Sequence, residues 1–107
     1  MISQCLAEIS GDWLTADKKG VIRISLENET YQGKIVSSEN LPHQVNQVIL
    51  KNLKEEQPNF YYGSILDPET GSEYKCKIEK REKKLKVRGY MGIPFFGKTF
   101  YWEKVNN

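Results

Sequence analysis

The sequence predicts an all-β fold, namely a small antiparallel up-and-down barrel of about eight strands. Short runs that alternate apolar and polar residues recur along the chain, and clusters of Gly, Pro, Asn and Asp separate them. Neither a low-complexity segment nor an internal repeat interrupts this pattern. A meander with this many strands hides its edges best by closing on itself, which favours a barrel over an open sheet.

The N-terminal third of the chain is predicted to form three strands. The first is "GDWLTA" (11–16), which ends at the turn "DKKG". The second, "VIRISLE" (21–27), alternates so that its two isoleucines and Leu26 share one face. After the turn "NET", the third strand is "YQGKIVS" (31–37), in which Gly33 marks a bend or a close backbone approach.

The middle of the chain gives a weaker signal. The run "SENLPHQVN" (38–46) is typical of a long loop, because it contains many polar residues and a proline. The apolar positions of "QVILKNLKEE" (47–56) fit either a strand or a short helix. The run "FYYGSIL" (60–66) is predicted to be a strand, since it is rich in aromatic and apolar residues.

The C-terminal part is predicted to form three further strands. "SEYKCKIEK" (72–80) alternates strictly, with its tyrosine, cysteine and isoleucine inward and its lysines outward. "KLKVRGY" (84–90) alternates in the same way, and "KTFYWEKV" (98–105) forms the last strand after the connection "MGIPFFG". We therefore expect an N-terminal tail over residues 1–8 and a single β-barrel domain over residues 9–105.

Length, charge and hydropathy narrow the classes of function. The chain has 107 residues, with 16 basic and 14 acidic side chains and a net charge of +2, which is too balanced to indicate nucleic-acid binding. No apolar run approaches the ~20 residues of a membrane helix. The start "MISQCLAEIS" lacks the features of a signal peptide. We expect a secreted or periplasmic protein if the chain is a mature form, and a cytoplasmic one otherwise.

The sequence contains two cysteines, Cys5 and Cys76. Cys76 occupies an apolar position of an alternating strand, where free cysteines are often buried. A disulfide between the two would require an oxidising compartment. A buried, unpaired Cys76 is the preferred interpretation.

An ordered set of motifs resembles a known bacterial family, the domain-of-unknown-function family 2147, whose members are lipocalin-like. The matching elements are "GDWLT", "YQGKIV", "ILKNLK", "YYGSILDPETGSEYKCKIE" and "LKVRGYMGIPFFGKTFYW". The resemblance covers nearly the whole chain and implies a calycin-type up-and-down barrel with no assigned enzyme activity. Family members typically carry a secretion signal, and their middle loop often has an Asp followed by Asn-Pro. Here "PHQVN" keeps only Asn46.

The acidic stretch "DPETG" (67–71) allows two interpretations. Asp67 and Glu69 could bind a cation together with Glu73, because hard cations need several converging oxygens. The alternative is a structural hairpin corner, in which the proline presets φ, the Asp67 carboxylate accepts backbone N–H groups and Gly71 takes a positive φ. The corner is preferred, since the carboxylate spacing of a calcium loop is missing.

Trp13 in "GDW" resembles the Gly-x-Trp motif at the closed end of lipocalin-like barrels. The resemblance implies that its indole plugs the barrel floor under a basic side chain, for which Arg88 is the candidate through a cation–π contact. Simple alternation places Arg88 on the outer face, so this pairing requires a bulge at Gly89. We expect both residues to be structural.

Aromatic side chains form the ligand hypothesis, because a barrel of this size either fills its interior or holds one small ligand. "GIPFFG" would then be a rim or lid. The alternative is that the aromatics fill the barrel completely. The candidate ligand-binding residues are Tyr31, Tyr62, Tyr74, Tyr90, Phe95, Phe96 and Trp102.

The hairpin at 75–88 is basic, and a basic strand beside aromatics can bind single-stranded nucleic acid. Glu79 and Glu82 interrupt the run, so a solvated outer face is preferred and no nucleic-acid partner is expected. The only histidine, His43, lies in a loop, and no metal site, cofactor or catalytic group is marked.

The leading functional hypothesis is a non-enzymatic barrel that binds a small apolar or amphipathic molecule, such as a lipid, in its interior. The alternative is a cell-envelope or secreted protein-interaction module that uses the "GIPFFG" face and the basic hairpin, with no small-molecule ligand. An enzyme of unknown type is a third and weaker hypothesis.

Overall fold

The computed structural model describes residues 9–90 and 97–105. These residues form eight strands and one short 3-10 helix, Pro42–Gln44. The strands are β1 (Gly11–Leu14), β2 (Gly20–Glu27), β3 (Thr30–Ser38), β4 (Val48–Gln57), β5 (Phe60–Leu66), β6 (Glu73–Arg81), β7 (Lys84–Tyr90) and β8 (Lys98–Lys104).

The strands form a closed antiparallel barrel in which each strand pairs with its neighbours in the chain. β1 and β8 close the barrel through the pairs Trp13↔Lys104 and Leu14↔Glu103. Closure gives every strand a neighbour on both sides, which reduces the sheet edge that could pair with another chain. The predicted up-and-down barrel of eight strands is therefore confirmed.

Strict alternation determines the inner face of β6 and β7, as the sequence predicts. Cys76 and Ile78 of β6 pair with Gly89 and Val87 of β7, and these inward positions face the barrel interior. The lysines between them point outward, where their charges remain hydrated. The hydrophobic core consists of the inward side chains of all eight strands, together with Ile9.

The ambiguous segment 47–56 is a strand, β4, and it contains a bulge. The register with β5 shifts between Lys51 and Lys54, and Asn52 has a φ of 55°. Gly63 of β5 lies against this bulge, where a Cβ atom would be only 2.6 Å from the backbone oxygen of Lys51. A glycine is therefore required at this point, because any side chain would collide with the β4 backbone.

The two ends of the barrel differ in their connections. The β1–β2 turn, the longer β3–β4 connection and the β5–β6 turn lie at one end, and Gly97 before β8 lies there also. The tight turns that follow β2, β4 and β6 lie at the opposite end, beside Ile9 and Trp13. We refer to these as the open end and the closed end.

One apolar position of β2 is not in the core. Leu26 is 57% exposed, although it continues the alternation of Ile22 and Ile24. The pairing of β1 with β2 begins at Gly11↔Ile24, so the β2–β3 hairpin extends beyond β1 and Leu26 has no β1 neighbour to cover it. Across residues 9–90 and 97–105, no helix reaches the length and hydropathy of a membrane span.

Candidate functional site

The open end of the barrel leads into a cavity of about 750 Å³. This volume lies within the range of small-molecule sites, which are usually about 300–1,000 Å³. Residues from the β1–β2 turn, the β3–β4 connection and the β5–β6 turn surround the mouth. The side chains that the structure describes therefore leave open space in the barrel interior at this end.

Branched aliphatic side chains form one wall of the cavity. They come from consecutive strands, because inward positions of neighbouring strands lie side by side across the sheet. Such a wall offers few hydrogen-bonding partners to water and favours an apolar occupant. The aliphatic residues that line it are Ile22 of β2, Ile35 of β3, Ile49 of β4, and Ile65 and Leu66 of β5.

β8 supplies the opposite wall through alternate residues. Lys98, Phe100 and Trp102 line the cavity, and they pair with the inward residues Gly89, Val87 and Leu85 of β7. Phe100 occupies an inward position and yet is 46% exposed, which reflects the open space in front of it. It was not among the predicted ligand residues, although it lies two positions from Trp102 and therefore shares its face.

The β1–β2 turn forms a polar part of the mouth. The hydroxyl of Thr15 donates a hydrogen bond to Asp17 Oδ1 at 2.7 Å, and the Lys19 backbone N–H donates to the same oxygen at 3.0 Å. These two hydrogen bonds hold the pKa of Asp17 below its ordinary value, because both stabilise the ionised carboxylate. The Asp17 carboxylate is thus held within its own turn.

The "DPETG" stretch is a hairpin corner at the rim of the cavity. The carbonyl oxygen of Asp67 accepts the Gly71 N–H at 2.8 Å, and its carboxylate accepts the Glu69 N–H at 2.9 Å. Gly71 has a φ of +80°. The side chain of Gln44 donates to the carbonyl oxygen of Pro68 at 3.0 Å, which fixes the 3-10 helix against this corner. The predicted turn geometry of Asp67 and Gly71 is confirmed.

Trp13 forms the floor of the barrel at the closed end. Its indole is fully buried, and Nε1 donates a hydrogen bond to the carbonyl oxygen of Ile9 at 3.0 Å. The Nζ atom of Lys104 lies 5.0 Å from the centre of the indole ring. Lys104 occupies this position because it pairs directly with Trp13 where β1 meets β8.

Arg88, predicted to pack over Trp13, is instead on the outer surface. It pairs with Thr99 of β8 and donates a hydrogen bond from Nη1 to the Thr99 hydroxyl at 2.6 Å. The bulge at Gly89 that this pairing would require is absent, since the β6–β7 and β7–β8 registers run through this residue without a shift. Lys104 takes the role that was assigned to Arg88.

The family is identified by comparison with known sequences. A family model described as "Uncharacterized protein conserved in bacteria (DUF2147)" matches residues 11–104. The chain belongs to this family. The DUF2147 match runs from the first residue of β1 to the last residue of β8, so it covers the whole barrel.

Comparison with solved structures finds the same architecture. Protein HP1028 from the human pathogen Helicobacter pylori, described as belonging to the lipocalin family, is similar with a TM-score of 0.78 and 18% sequence identity. The similarity covers 94% of this chain and 84% of that chain. Identity at this level shows a shared fold, so the DUF2147 barrel is lipocalin-like. A search of curated proteins found no match.

Three of the predicted ligand-binding aromatics line the cavity, namely Tyr74, Tyr90 and Trp102. Tyr74 is an inward residue of β6 and pairs with Ile65 of the aliphatic wall. Tyr90 is the last residue of β7, at the rim. Phe95 and Phe96 lie outside the residues that the structure describes.

Tyr31 and Tyr62 lie outside the cavity, which corrects their predicted placement. Tyr31 packs on the core near the closed end, where its ring meets that of Tyr61 edge-to-face at 5.7 Å. Two tyrosines are adjacent in β5, and Tyr61, which is only 1% exposed, is the one that points inward. Tyr62 therefore points outward, and the Nζ atom of Lys77 lies 5.9 Å from its ring centre.

Groups suited to catalysis or metal binding are scarce in this DUF2147 barrel. Across 9–90 and 97–105, no three or more His, Cys, Asp and Glu side chains are grouped so that they could hold a metal ion. Cys76 is buried and unpaired, and desolvation raises its pKa to about 12. A thiol with so high a pKa is a poor nucleophile. His43 is exposed, in the 3-10 helix.

Proposed function

We propose that this DUF2147 barrel binds a small apolar or amphipathic molecule in the cavity at its open end. The observation that supports the proposal is the 750 Å³ cavity itself, which has aliphatic walls and a polar mouth. A barrel of about eight strands can be filled by side chains, so open space of this size calls for an occupant. The lipocalin-like fold is compatible with such a ligand.

The chemistry of the cavity favours a ligand with one apolar part and one polar part. Transfer of hydrocarbon from water to the aliphatic wall is favourable at roughly 25 cal/mol per Å² of buried apolar surface. The polar groups lie near the mouth instead, where Thr15, Asp67 and Lys98 line the opening. An amphipathic molecule would therefore enter with its apolar part first and keep its polar part near solvent.

Binding without chemical conversion is the role that we propose. A catalytic site needs an activated nucleophile, an acid–base pair or a metal in contact with the substrate. The cavity wall described above is mainly apolar, and the buried thiol of Cys76 is held in its protonated form. These features support a carrier or sensor role.

A cavity-filling substitution tests the proposal. Ile65→Trp would place an indole in the cavity, because Ile65 lines it and is only half-buried. Lys34→Trp adds the same side chain to the exposed outer face of β3 and serves as the matched control. We expect Ile65→Trp to abolish uptake of a hydrophobic dye while Lys34→Trp leaves it unchanged. Equal uptake by both folded variants would place the binding site elsewhere.

A second candidate function is protein interaction through the outer surface of β5 to β8. There the Nζ atom of Lys77 lies 5.3 Å from the ring centre of Phe60, and Tyr101 is also exposed on the same face. Aromatic side chains are enriched in protein interfaces. Tyr62→Ser combined with Tyr101→Ser should then abolish capture of a partner without affecting dye uptake, whereas unchanged capture would rule this face out.

A further inference from the structure

Three lysines occupy inward positions on the strands at the two ends of the barrel. Lys80 pairs with the core residue Leu85, Lys104 pairs with Trp13, and Lys98 pairs with Gly89 of the cavity wall. A charged side chain on an inward position is unfavourable unless a partner compensates for its desolvation. The partners of each lysine therefore indicate what its ammonium group does.

Both lysines at the closed end have partners within the chain. Lys80 donates from Nζ to the carbonyl oxygen of Glu82 at 2.9 Å. Lys104 donates from Nζ to the carbonyl oxygen of Ser10 at 3.0 Å and lies over the indole of Trp13. Each ammonium group thus contributes to closing that end of the barrel.

Lys98 is different, because it lines the cavity mouth and forms no hydrogen bond or ion pair with any part of the chain that the structure describes. It stands directly above Phe100 and Trp102 on the same face of β8. The residue opposite, Gly89, has no side chain that would cover it. A cation therefore sits at the top of a column of two aromatic rings that leads into the aliphatic cavity.

The acidic side chains at the mouth do not neutralise this cation. The Asp17 carboxylate is held by Thr15 and by the backbone of its own turn. The Asp67 carboxylate accepts the Glu69 N–H within the hairpin corner. Glu69 also lines the mouth, and its exposed side chain forms no ion pair with the described residues. Lys19 also lines the mouth, and its charge interacts favourably with the Asp17 carboxylate.

We propose that the ligand is a long-chain monocarboxylate, with its carboxylate paired to Lys98 and its hydrocarbon chain lying along Phe100 and Trp102 toward Ile35 and Ile49. This assignment rests on the proposed function and adds that the polar part of the ligand is negatively charged. A single ammonium group suits a carboxylate. Phosphate groups are usually held by arginines or by several backbone N–H groups. No arginine is among the described residues that line the cavity.

The test compares two ligands that share one chain and differ in charge. Dodecanoate and dodecanol are titrated, below their aggregation concentrations, into the wild type and into Lys98→Met. Lys34→Met removes the same charge from the outer face of β3 and is the matched control. We expect the wild type and the control to bind dodecanoate about fivefold more tightly than dodecanol, the ratio that a partly exposed ion pair supports.

Lys98→Met should lose this preference through weaker dodecanoate binding, while its affinity for dodecanol stays unchanged. Lys98→Glu should reverse the preference and favour protonated dodecylamine over dodecanoate. If both ligands bind but Lys98→Met keeps the wild-type ratio, the carboxylate assignment is overturned while cavity binding stands. If neither ligand binds to the wild type, the proposed function fails together with this inference.

Discussion

The Nζ atom of Lys104 lies 5.0 Å from the centre of the Trp13 ring and donates a hydrogen bond to the carbonyl oxygen of Ser10. These contacts join the first and last strands, which share only two paired positions. Lys104 therefore fastens the closed end of the barrel, while Lys98, six residues earlier on the same face, forms no hydrogen bond or ion pair with the described residues around the open end.

Replacement of Lys104 tests whether this residue, unlike Lys98, stabilises the folded barrel. We expect Lys104→Met to lower the free energy of unfolding by about 1–2 kcal/mol, because it removes a cation–π contact and a hydrogen bond. Lys104→Arg should lose less, since it keeps a cation near the indole. Denaturant unfolding would measure both. Lys98→Met is the control from the same strand face, and a loss as large as that of Lys104→Met would contradict the account.

In the hairpin corner "DPETG", the backbone conformation of Gly71 predicts that replacing this glycine lowers the stability of the fold. Its φ of +80° is unfavourable for a residue with a Cβ atom, although no atom lies within 4 Å of the Cβ position. Gly71→Ala should therefore cost about 1 kcal/mol of unfolding free energy, and Gly71→Asn should cost less. Thermal unfolding of the two variants measures this order. A greater loss for asparagine would show that space, not φ, limits this position.

Gly63 is restricted for a different reason, because there is no space for a side chain at its position. A Cβ atom there would lie 2.6 Å from the Lys51 backbone oxygen, inside the contact between β4 and β5. We expect Gly63→Ala to lower the unfolding free energy by about 2–3 kcal/mol, as overpacking against rigid backbone does. Denaturant unfolding alongside Gly71→Ala provides the comparison. The argument fails if Gly63→Ala is as stable as the wild type.

The buried thiol of Cys76 predicts a dependence of stability on alkaline pH. Burial raises its pKa from 9.0 to about 12, so between these values the unfolded chain loses a proton that the folded chain keeps. The unfolded state then binds fewer protons, and stability falls by about 1.4 kcal/mol per pH unit in that window. Below pH 9.0 the Cys76 thiol should have no such effect.

The check is the difference in unfolding free energy between the wild type and Cys76→Ala. Other groups that titrate at alkaline pH are common to both proteins, so they cancel. The difference should shift by about 2 kcal/mol in favour of Cys76→Ala between about pH 8 and about pH 10.5. A constant difference would mean that the folded thiol ionises as readily as the unfolded one.

Fluorescence offers a further test, because the two tryptophans differ in their contact with the cavity. Trp102 lines the cavity, whereas Trp13 is buried in the floor. We expect dodecanoate to shift the emission of the wild type, and Trp102→Phe to remove that shift while dodecanoate still binds by calorimetry. An unchanged shift in Trp102→Phe would place the bound molecule away from the β8 wall.

The sequence was sufficient for the architecture because most strands alternate regularly. β6 and β7 show this best, since every inward residue follows the period of two that a half-buried strand requires. β4 did not show it, and the reason is its bulge. The bulge brings both Leu50 and Leu53 inward, and a spacing of three residues imitates a helix.

The candidate site was harder to predict, because it depends on where the barrel is open. Composition directed attention to aromatic residues, whereas more aliphatic than aromatic side chains line the cavity. Alternation from Ile65 would have selected Tyr61 over Tyr62 as the inward tyrosine. Alternation from Trp102 would have found Phe100 and Lys104. The position of Arg88 on the outer face followed from the same rule, and the bulge that would have changed it does not exist.

The most direct test of the account is native mass spectrometry of the protein purified without denaturation. Its mass should exceed that of the denatured chain by the mass of one discrete small molecule, and Ile65→Trp should lack this excess while Lys34→Trp retains it. If the native protein has the mass of the bare chain, and keeps that mass after exposure to a lipid extract, the cavity at the open end is not a ligand-binding site.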